Sequence, residues 1–350
     1  MFSEEKGVVA EGQLRDKTFF IAEAGINHNG NIELAKKLID VAKDSGADAV
    51  KFQKRTINRI LTKEGLNKEY NNKNSYGKTY GEHKKFLELS FEQFSELKDY
   101  SDKKGILMTA SGWDEESVDF LDSIGVPFFK MASADLTNFP LLEHTAKKDK
   151  PMIISTGMSD FDTVNKAYEL VSKYNKKICI LQCTSSYPTK IEDINLNVIK
   201  DYKIEFPEAI IGYSGHEEGI GVSIGACAIG AKVIERHFTL DKTMKGGDHC
   251  ASLDPKELKF LIKNIRDVEK AMGSFVKMKL DSEEKCFIKL SKSLVSTRKI
   301  KDGEIIKRED LTTKGPGTGI SPMRMDEIIG QKCLRDIDDD IVLMDEYFDL

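Results

Sequence analysis

Eight times along this chain a short apolar run ends in residues with chemistry to offer. The endings are Glu23, Lys51 to Gln53, Ser111, Lys130 to Ser133, Ser155 and Thr156, Thr184 and Ser185, Ser214 to His216, and Glu235 to His237. The runs themselves, 19–26, 49–54, 106–111, 128–133, 152–157, 178–184, 209–215 and 232–238, are mostly continuous in apolar residues rather than alternating. A strand covered by helices on one side and by core on the other has that composition. Repeated with helix-like spacers, the pattern predicts an α/β fold, a (β/α)8 TIM barrel, whose chemical groups gather at the C-terminal ends of its strands. Two histidines, two lysines, two glutamates and several hydroxyls around one mouth point to an enzyme.

The spacers support the same reading. Amphipathic segments are expected at 31–45, 91–104, 114–124, 138–148, 160–173, 194–206 and 217–229, and a last long helix at 254–273. Asn31, Ser90 and Asp160 stand where N-caps belong, and Gly46, Gly105 and Gly125 where helices stop. Pro255 suits a first helical turn.

A chain of 350 residues has room for one barrel and a small second domain. The divisions expected are a barrel over 1–273, a linker over 274–290 with a short helix, and a small β-rich domain over 291–350, too small to bury much core by itself. One connection departs from the plan. Residues 55–90 form a polar βα connection far longer than the usual two to six residues or so. It packs Tyr76, Lys78, Tyr80, Glu82 and His83 into one stretch on the catalytic side, which suggests a lid or substrate loop; a solvated insertion is the plainer alternative.

Charge and cysteine usage narrow the class. The 53 basic against 58 acidic residues, net −5, argue against nucleic acid as a partner. Six cysteines with no CxxC pair read as reduced thiols in a cytoplasmic protein. The opening MFSEEKGVVAEG has no apolar segment of a signal peptide, and no run is apolar enough to span a membrane.

His216 and His237 close neighbouring strands, which lie about 4.8 Å apart in a parallel sheet, so their imidazoles could share a divalent metal; ordinary rim hydrogen bonds are the alternative. Lys51 and Lys130, with Ser111, Ser133, Ser155, Ser185 and Ser214, make a cradle suited to a small phosphorylated carboxylate. The competing account is a pair of Lys–Glu bridges to Glu23 and Glu235. GPGTG at 315–319 lacks the Lys-Ser/Thr of a phosphate loop and reads as a turn. GYSGH at 212–216 has His216 where a nucleophile elbow needs glycine. Trp113 reads as packing, and Asp338 to Asp340 as a solvated turn.

The segments IAEAGINHNG (21–30), KFQK (51–54), GKTYGEHK (77–84), FFKMASAD (128–135), PMIISTGM (151–158), LQCTSSYPT (181–189), GYSGHEEGI (212–220) and ERHFTLDK (235–242) resemble the sialic acid synthase family, and the resemblance runs on into a C-terminal antifreeze-like (SAF) domain. It implies condensation of phosphoenolpyruvate with an open-chain N-acylhexosamine, consuming water, releasing phosphate and forming a nine-carbon keto acid. It implies a divalent metal on His216 and His237, manganese first, with magnesium or cobalt as alternatives, and a domain-swapped homodimer. It assigns phosphoenolpyruvate to Lys51, Ser111, Lys130, Ser133, Ser155, Ser185 and Ser214, and the sugar to Glu23, Gln53, Asn74, Tyr187, Glu235 and Asp248. Glu23 or Glu235 would carry protons.

One departure bears on the sugar. Many bacterial members carry Arg in a KRPG motif; here the stretch is Lys314-Gly315-Pro316-Gly317. Lys314, Arg298, Arg324 and Lys78 are candidates to replace it. The expected acceptor is free N-acetylmannosamine, giving an N-acetylneuraminate synthase. The alternatives are N-acetylmannosamine 6-phosphate, a diacetamido hexose leading to legionaminic acid, and, from another class, a non-catalytic SAF-type binding protein.

Overall fold

The computed structural model describes residues 17–349. The expectation about the opening twelve residues therefore lies outside the described residues. Eight parallel strands close into a barrel in chain order: β1 Phe19–Gly25, β2 Ala49–Lys54, β3 Leu107–Gly112, β4 Phe129–Met131, β5 Met152–Ser155, β6 Ile178–Cys183, β7 Ile210–Gly215 and β8 Val233–His237. Closure comes from β1, which pairs with β2 on one side and β8 on the other. The helices follow the expected spacers: Ile32–Asp44, Phe91–Lys104, Glu115–Ser123, Phe139–Ala146, Phe161–Ser172, Val198–Glu205, Gly221–Ala228 and Pro255–Met272. The sixth and seventh each start four residues later than expected; ahead of the sixth, residues 194–197 form a turn with Asn195 at a left-handed φ of 53°.

The caps work as the sequence suggests. The Asn31 side chain accepts from the N–H groups of Glu33 and Leu34, Ser90 from that of Gln93, and Asp160 from that of Thr163. Each such contact is worth about 1 kcal/mol. The helix ending at Lys104 stops at Gly105, whose φ of 68° is left-handed and open to glycine at no steric cost.

Side chains alternate along a strand, and in a barrel that alternation separates two cores. The outward faces and the helices share one large apolar cluster. The inward faces begin with a second one that includes Phe19, Ile21, Ala49, Phe128, Ile153 and Val233. Two residues further on, the same faces turn polar: Ile21 is followed by Glu23, Ala49 by Lys51, Phe128 by Lys130, Ile153 by Ser155 and Val233 by Glu235. A dry apolar floor thus lies beneath a charged layer.

The long connection after β2 is built rather than loose. It contains the helices Ile57–Ile60, Lys63–Asn67 and Tyr80–Leu87 and an isolated bridge between Glu69 and Thr79. Glu82 is occupied in a capping box with Thr79. His83 is buried and accepts from the Tyr76 N–H at 3.2 Å, its ring 4.7 Å from that of Tyr70. These two residues hold the segment together. Gly30, at φ +70°, lets the turn after β1 approach it: a Cβ there would lie 2.0 Å from the Phe86 carbonyl oxygen.

Residues 274–350 form a second unit, described to 349. The stretch expected as a linker carries the helix Glu284–Leu290 and belongs to this unit, since the Gly317 N–H donates to the Ile288 carbonyl. Its strands β9 Ser293–Ser296 and β10 Leu311–Lys314 pair antiparallel, and isolated bridges add short pairings. The expectation of a unit unable to bury much core is corrected. Leu294, Ile300, Ile306, Leu311, Ile320, Ile328, Ile337 and Leu343 make an apolar cluster of their own with Cys333 and Phe348. Short strands turning back every few residues let each contribute one inward side chain. All six cysteines are unpaired. Among the described residues no helix is long and apolar enough to cross a membrane.

Candidate active site

The polar layer at the top of the barrel interior is an alternating ring of charges. Lys51 Nζ lies 2.8 Å from Glu23 Oε2 and 3.8 Å from Glu235 Oε2, and Lys130 Nζ lies 3.7 Å from Glu235 Oε1. All four side chains are buried. The Lys–Glu bridges and the hydroxyl cradle, opposed as alternatives in the sequence, are both present. Lys51 also donates to Ser111 Oγ at 3.2 Å and Lys130 to Ser155 Oγ at 2.6 Å, while Ser214 Oγ donates to Glu235 at 3.1 Å. Gln53 Nε2 donates to Glu23 Oε1 at 3.2 Å.

The two carboxyls are not equivalent. Burial, with help from Glu235, raises Glu23 to about 7 against the pull of Lys51. Glu235 is buried too, but Lys130, Lys51 and the Ser214 hydroxyl outweigh that and hold it below the usual range. Burial lowers Lys130, whereas the two glutamates overcome burial and raise Lys51. An entering anion would find two ammonium groups already dry and aimed inward.

His216 and His237 stand above this ring with centroids 5.3 Å apart. His216 donates from Nδ1 to the Thr184 carbonyl at 2.9 Å, which leaves Nε2 bare. His237 Nδ1 is buried with no hydrogen-bond partner among the described residues, and burial keeps the ring well below the ordinary imidazole range, hence neutral. His237 is a neutral ring with a bare nitrogen, while His216, oriented by a backbone carbonyl, is raised against burial above the usual range by Cys183 and that carbonyl; with His216 deprotonated the pair could serve as two donors to a divalent transition metal. No group of three or more His, Cys, Asp or Glu is so arranged among the described residues, so such an ion would draw its other ligands from substrate or water. The Tyr187 ring lies 4.2 Å from that of His216.

Behind the histidines, on the outer face, is a fully buried network. Arg236 Nη1 pairs with Glu217 Oε1 at 2.6 Å and donates to Ser223 Oγ at 2.8 Å; Tyr213 donates to Glu217 Oε2 at 2.7 Å. Arg236 directly precedes His237 and Glu217 directly follows His216, so this bridge ties together the strand ends that carry the two rings.

A cavity of about 220 Å³ opens over the ring. Its wall includes every residue assigned from the sequence to phosphoenolpyruvate, both histidines, Glu23, Glu235, Gln53 and Tyr187. Two assignments are not brought into that wall. Asn74 sits in the turn 72–75, its N–H given to the Asn72 side chain, outside the cavity lining. Asp248 opens the turn before His249; it is not in the wall either, though its carboxyl, raised by burial, feels Lys84, Arg55, His216 and Lys51. Trp113, expected to be packing, is a wall residue. Arg55 was missed: it follows β2 directly, is buried, and lies 4.7 Å from the Trp113 ring. Its place just after KFQK was the available signal.

With this geometry in hand, the comparisons decide the family. Residues 38–277 match the NeuB family model, more than half of the chain. The chain belongs to the NeuB family. Residues 291–346 of this NeuB-family chain match the SAF domain. It is 48% identical over 332 residues to N-acetylneuraminate-9-phosphate synthase of Homo sapiens, covering 95% of this chain and 92% of that protein. It is 41% identical to N,N'-diacetyllegionaminic acid synthase of Campylobacter jejuni, covering 93% and 98%. Among solved structures, N-acetylneuraminic acid (sialic acid) synthetase from Leptospira borgpetersenii, in complex with citrate, superposes with a TM-score of 0.67 at 34% identity, over 77% of this chain and 90% of that one. This NeuB-family chain is an enzyme, a phosphoenolpyruvate-condensing synthase of the sialic acid type.

Proposed function

We propose that this synthase condenses phosphoenolpyruvate with N-acetylmannosamine 6-phosphate, giving the 9-phosphate of the nine-carbon keto acid and inorganic phosphate. The observation that carries this choice over the free sugar is the 48% identity, across 95% of the chain, with the human 9-phosphate synthase. The SAF unit adds a second support. Of the cations that could have replaced the missing Arg there, Lys314 is paired with Asp340, Arg298 with Glu304 and Asp310, and Arg324 with Glu327 and Asp345. All three are already engaged.

In this reading Lys51 and Lys130 hold the charges of phosphoenolpyruvate, with Ser111, Ser155, Ser133, Ser185 and Ser214 directing its oxygens. Buried donors fixed before the substrate arrives need little reorganisation as charge moves. Glu23 and Glu235, facing each other across Lys51, move the protons for water addition and for the new hydroxyl. Gln53 fixes the Glu23 carboxyl, and Tyr187 places an aromatic face beside the histidines. A divalent ion held by His216 and His237 would polarise the sugar aldehyde as a Lewis acid.

The deciding measurement is phosphate release with N-acetylmannosamine, its 6-phosphate and a diacetamido hexose on one preparation. The 6-phosphate is expected to win by about tenfold or more in kcat/KM, the size of step a few specific contacts supply. Preference for the diacetamido sugar would move the enzyme to the legionaminic branch, and preference for free N-acetylmannosamine would restore the simpler acceptor. No release with any of the three would remove the catalytic reading.

Metal removal tests the histidine pair. Chelator-treated protein should be inactive and recover with manganese, cobalt or magnesium. The His237→Ala protein should lose manganese affinity by calorimetry while its melting temperature stays close to that of the unaltered protein, because a rim side chain adds little to the core. Full turnover without metal would end this assignment.

A further inference from the structure

Two cations at the rim lack a full complement of counter-charge. The Arg55 guanidinium is buried against Trp113 and donates to the Gln53 side chain, both wall residues of the cavity. Its carboxylate partner, Glu88, lies 3.7 Å away and is shared with Lys54 at 2.7 Å, so one negative charge serves two positive ones. Lys84, on the helix Tyr80–Leu87, is half-buried with its ammonium 5.1 Å from the Tyr80 ring centroid. Among the described residues no carboxylate comes within ion-pair distance of it.

A half-dry ammonium beside a dry guanidinium is an unfavourable arrangement unless an anion completes it. The strain is visible in Lys84, which burial and then the Arg55 charge push down to about 8. The helix that bears it is held in place. Phe86 stacks on Tyr76 at 4.2 Å, the Tyr76 hydroxyl donates to the Lys245 carbonyl, and the turn at Gly30 fits against Phe86. Lys84 is therefore presented from the long connection to the side of Arg55 and Asp248, whose charges it feels.

We propose that Lys84 and Arg55 form an anion subsite for the phosphate monoester at the far end of the acceptor sugar. The proposal rests on the phosphorylated-acceptor reading above and names the residues that would enforce it. Lys84 supplies a charge with no carboxylate in ion-pair contact, Arg55 supplies a fork that can hold two oxygens, and Asp248 is the buried carboxylate whose charge both cations feel. The long connection is then the part of the chain that reads the acceptor.

The test measures KM and kcat for N-acetylmannosamine 6-phosphate and for the free sugar in the unaltered protein, in Lys84→Met and in Lys84→Arg. The Met variant should raise KM for the 6-phosphate by about 10- to 100-fold, the loss expected for a charge-assisted contact, with kcat little changed. The Arg variant should recover most of that loss. If the unaltered protein prefers the 6-phosphate and Lys84→Met keeps the preference, the subsite is overturned while the substrate reading stands. If the unaltered protein prefers an unphosphorylated sugar, the substrate reading falls and takes the subsite with it.

Discussion

Lys130→Met should lower kcat/KM for phosphoenolpyruvate by about 10²- to 10³-fold, the cost of deleting one preorganised donor at a developing charge. Lys130 sits in the charged layer with Ser155 at 2.6 Å, the Met131 carbonyl at 3.0 Å and Glu235 at 3.7 Å. The thioether has similar length and no charge. The loss should appear in phosphoenolpyruvate affinity by calorimetry as well as in turnover, since the lysine is assigned to the substrate rather than to the sugar. Glu235 keeps Lys51 at 3.8 Å as a counter-charge, so the barrel should still fold. A variant that melts earlier but binds phosphoenolpyruvate normally would make Lys130 a structural residue.

Arg236→Met should be the most destabilising single change in the barrel. It strands Glu217, which is fully buried and receives Arg236 Nη1 at 2.6 Å, with only the Tyr213 and Ser223 hydroxyls left to face its charge. Breaking a buried ion pair from one side costs about 3–5 kcal/mol. For a domain of this size that is a fall in melting temperature of about 10 °C. Adding Glu217→Gln to Arg236→Met removes the orphaned charge and should recover part of the loss. If the single variant melts within about 2 °C of the unaltered protein, less than 1 kcal/mol by the same scaling, the network contributes little.

The barrel was legible because its strands are enclosed on both faces, which writes them as continuous apolar runs, and because every run ends at the same mouth. The charged layer was legible for the same reason: Glu23, Lys51, Ser111, Lys130, Ser155 and Glu235 each sit on or beside a strand end, and topology does the rest. Arg55, directly after KFQK, and Lys84, the last residue of GKTYGEHK, lie at the ends of readable motifs, but their place in space depends on contacts such as Tyr76 to Lys245 that no local pattern announces. Asn74 and Asp248 lie outside the cavity wall for a related reason. Both lie in turns, where one residue of difference in path moves a side chain out of the cavity. Arg236 and Glu217 point outward, where a buried ion pair looks in the sequence like any two charges beside a strand end. The small C-terminal unit was underestimated because its core is assembled from single residues on short strands rather than from runs.

The long connection has a consequence for how such an enzyme can change. The ring of glutamates and lysines stands on four of the eight strands, β1, β2, β4 and β8, each held by two neighbours, and in the proposed reaction an alteration there would disturb the chemistry itself. Residues 55–90 are joined to the barrel at two points in the chain, the ends of β2 and of the connection that leads to the helix Phe91–Lys104, and they carry their own short helices and bridge besides a few contacts with the barrel such as Tyr76 to Lys245. Exchange of that one stretch between paralogues would let the acceptor drift while the bond-making apparatus is inherited intact. If the connection reads the acceptor as proposed, a new acceptor preference could arise by change within this one stretch, which would also be the segment to exchange by design.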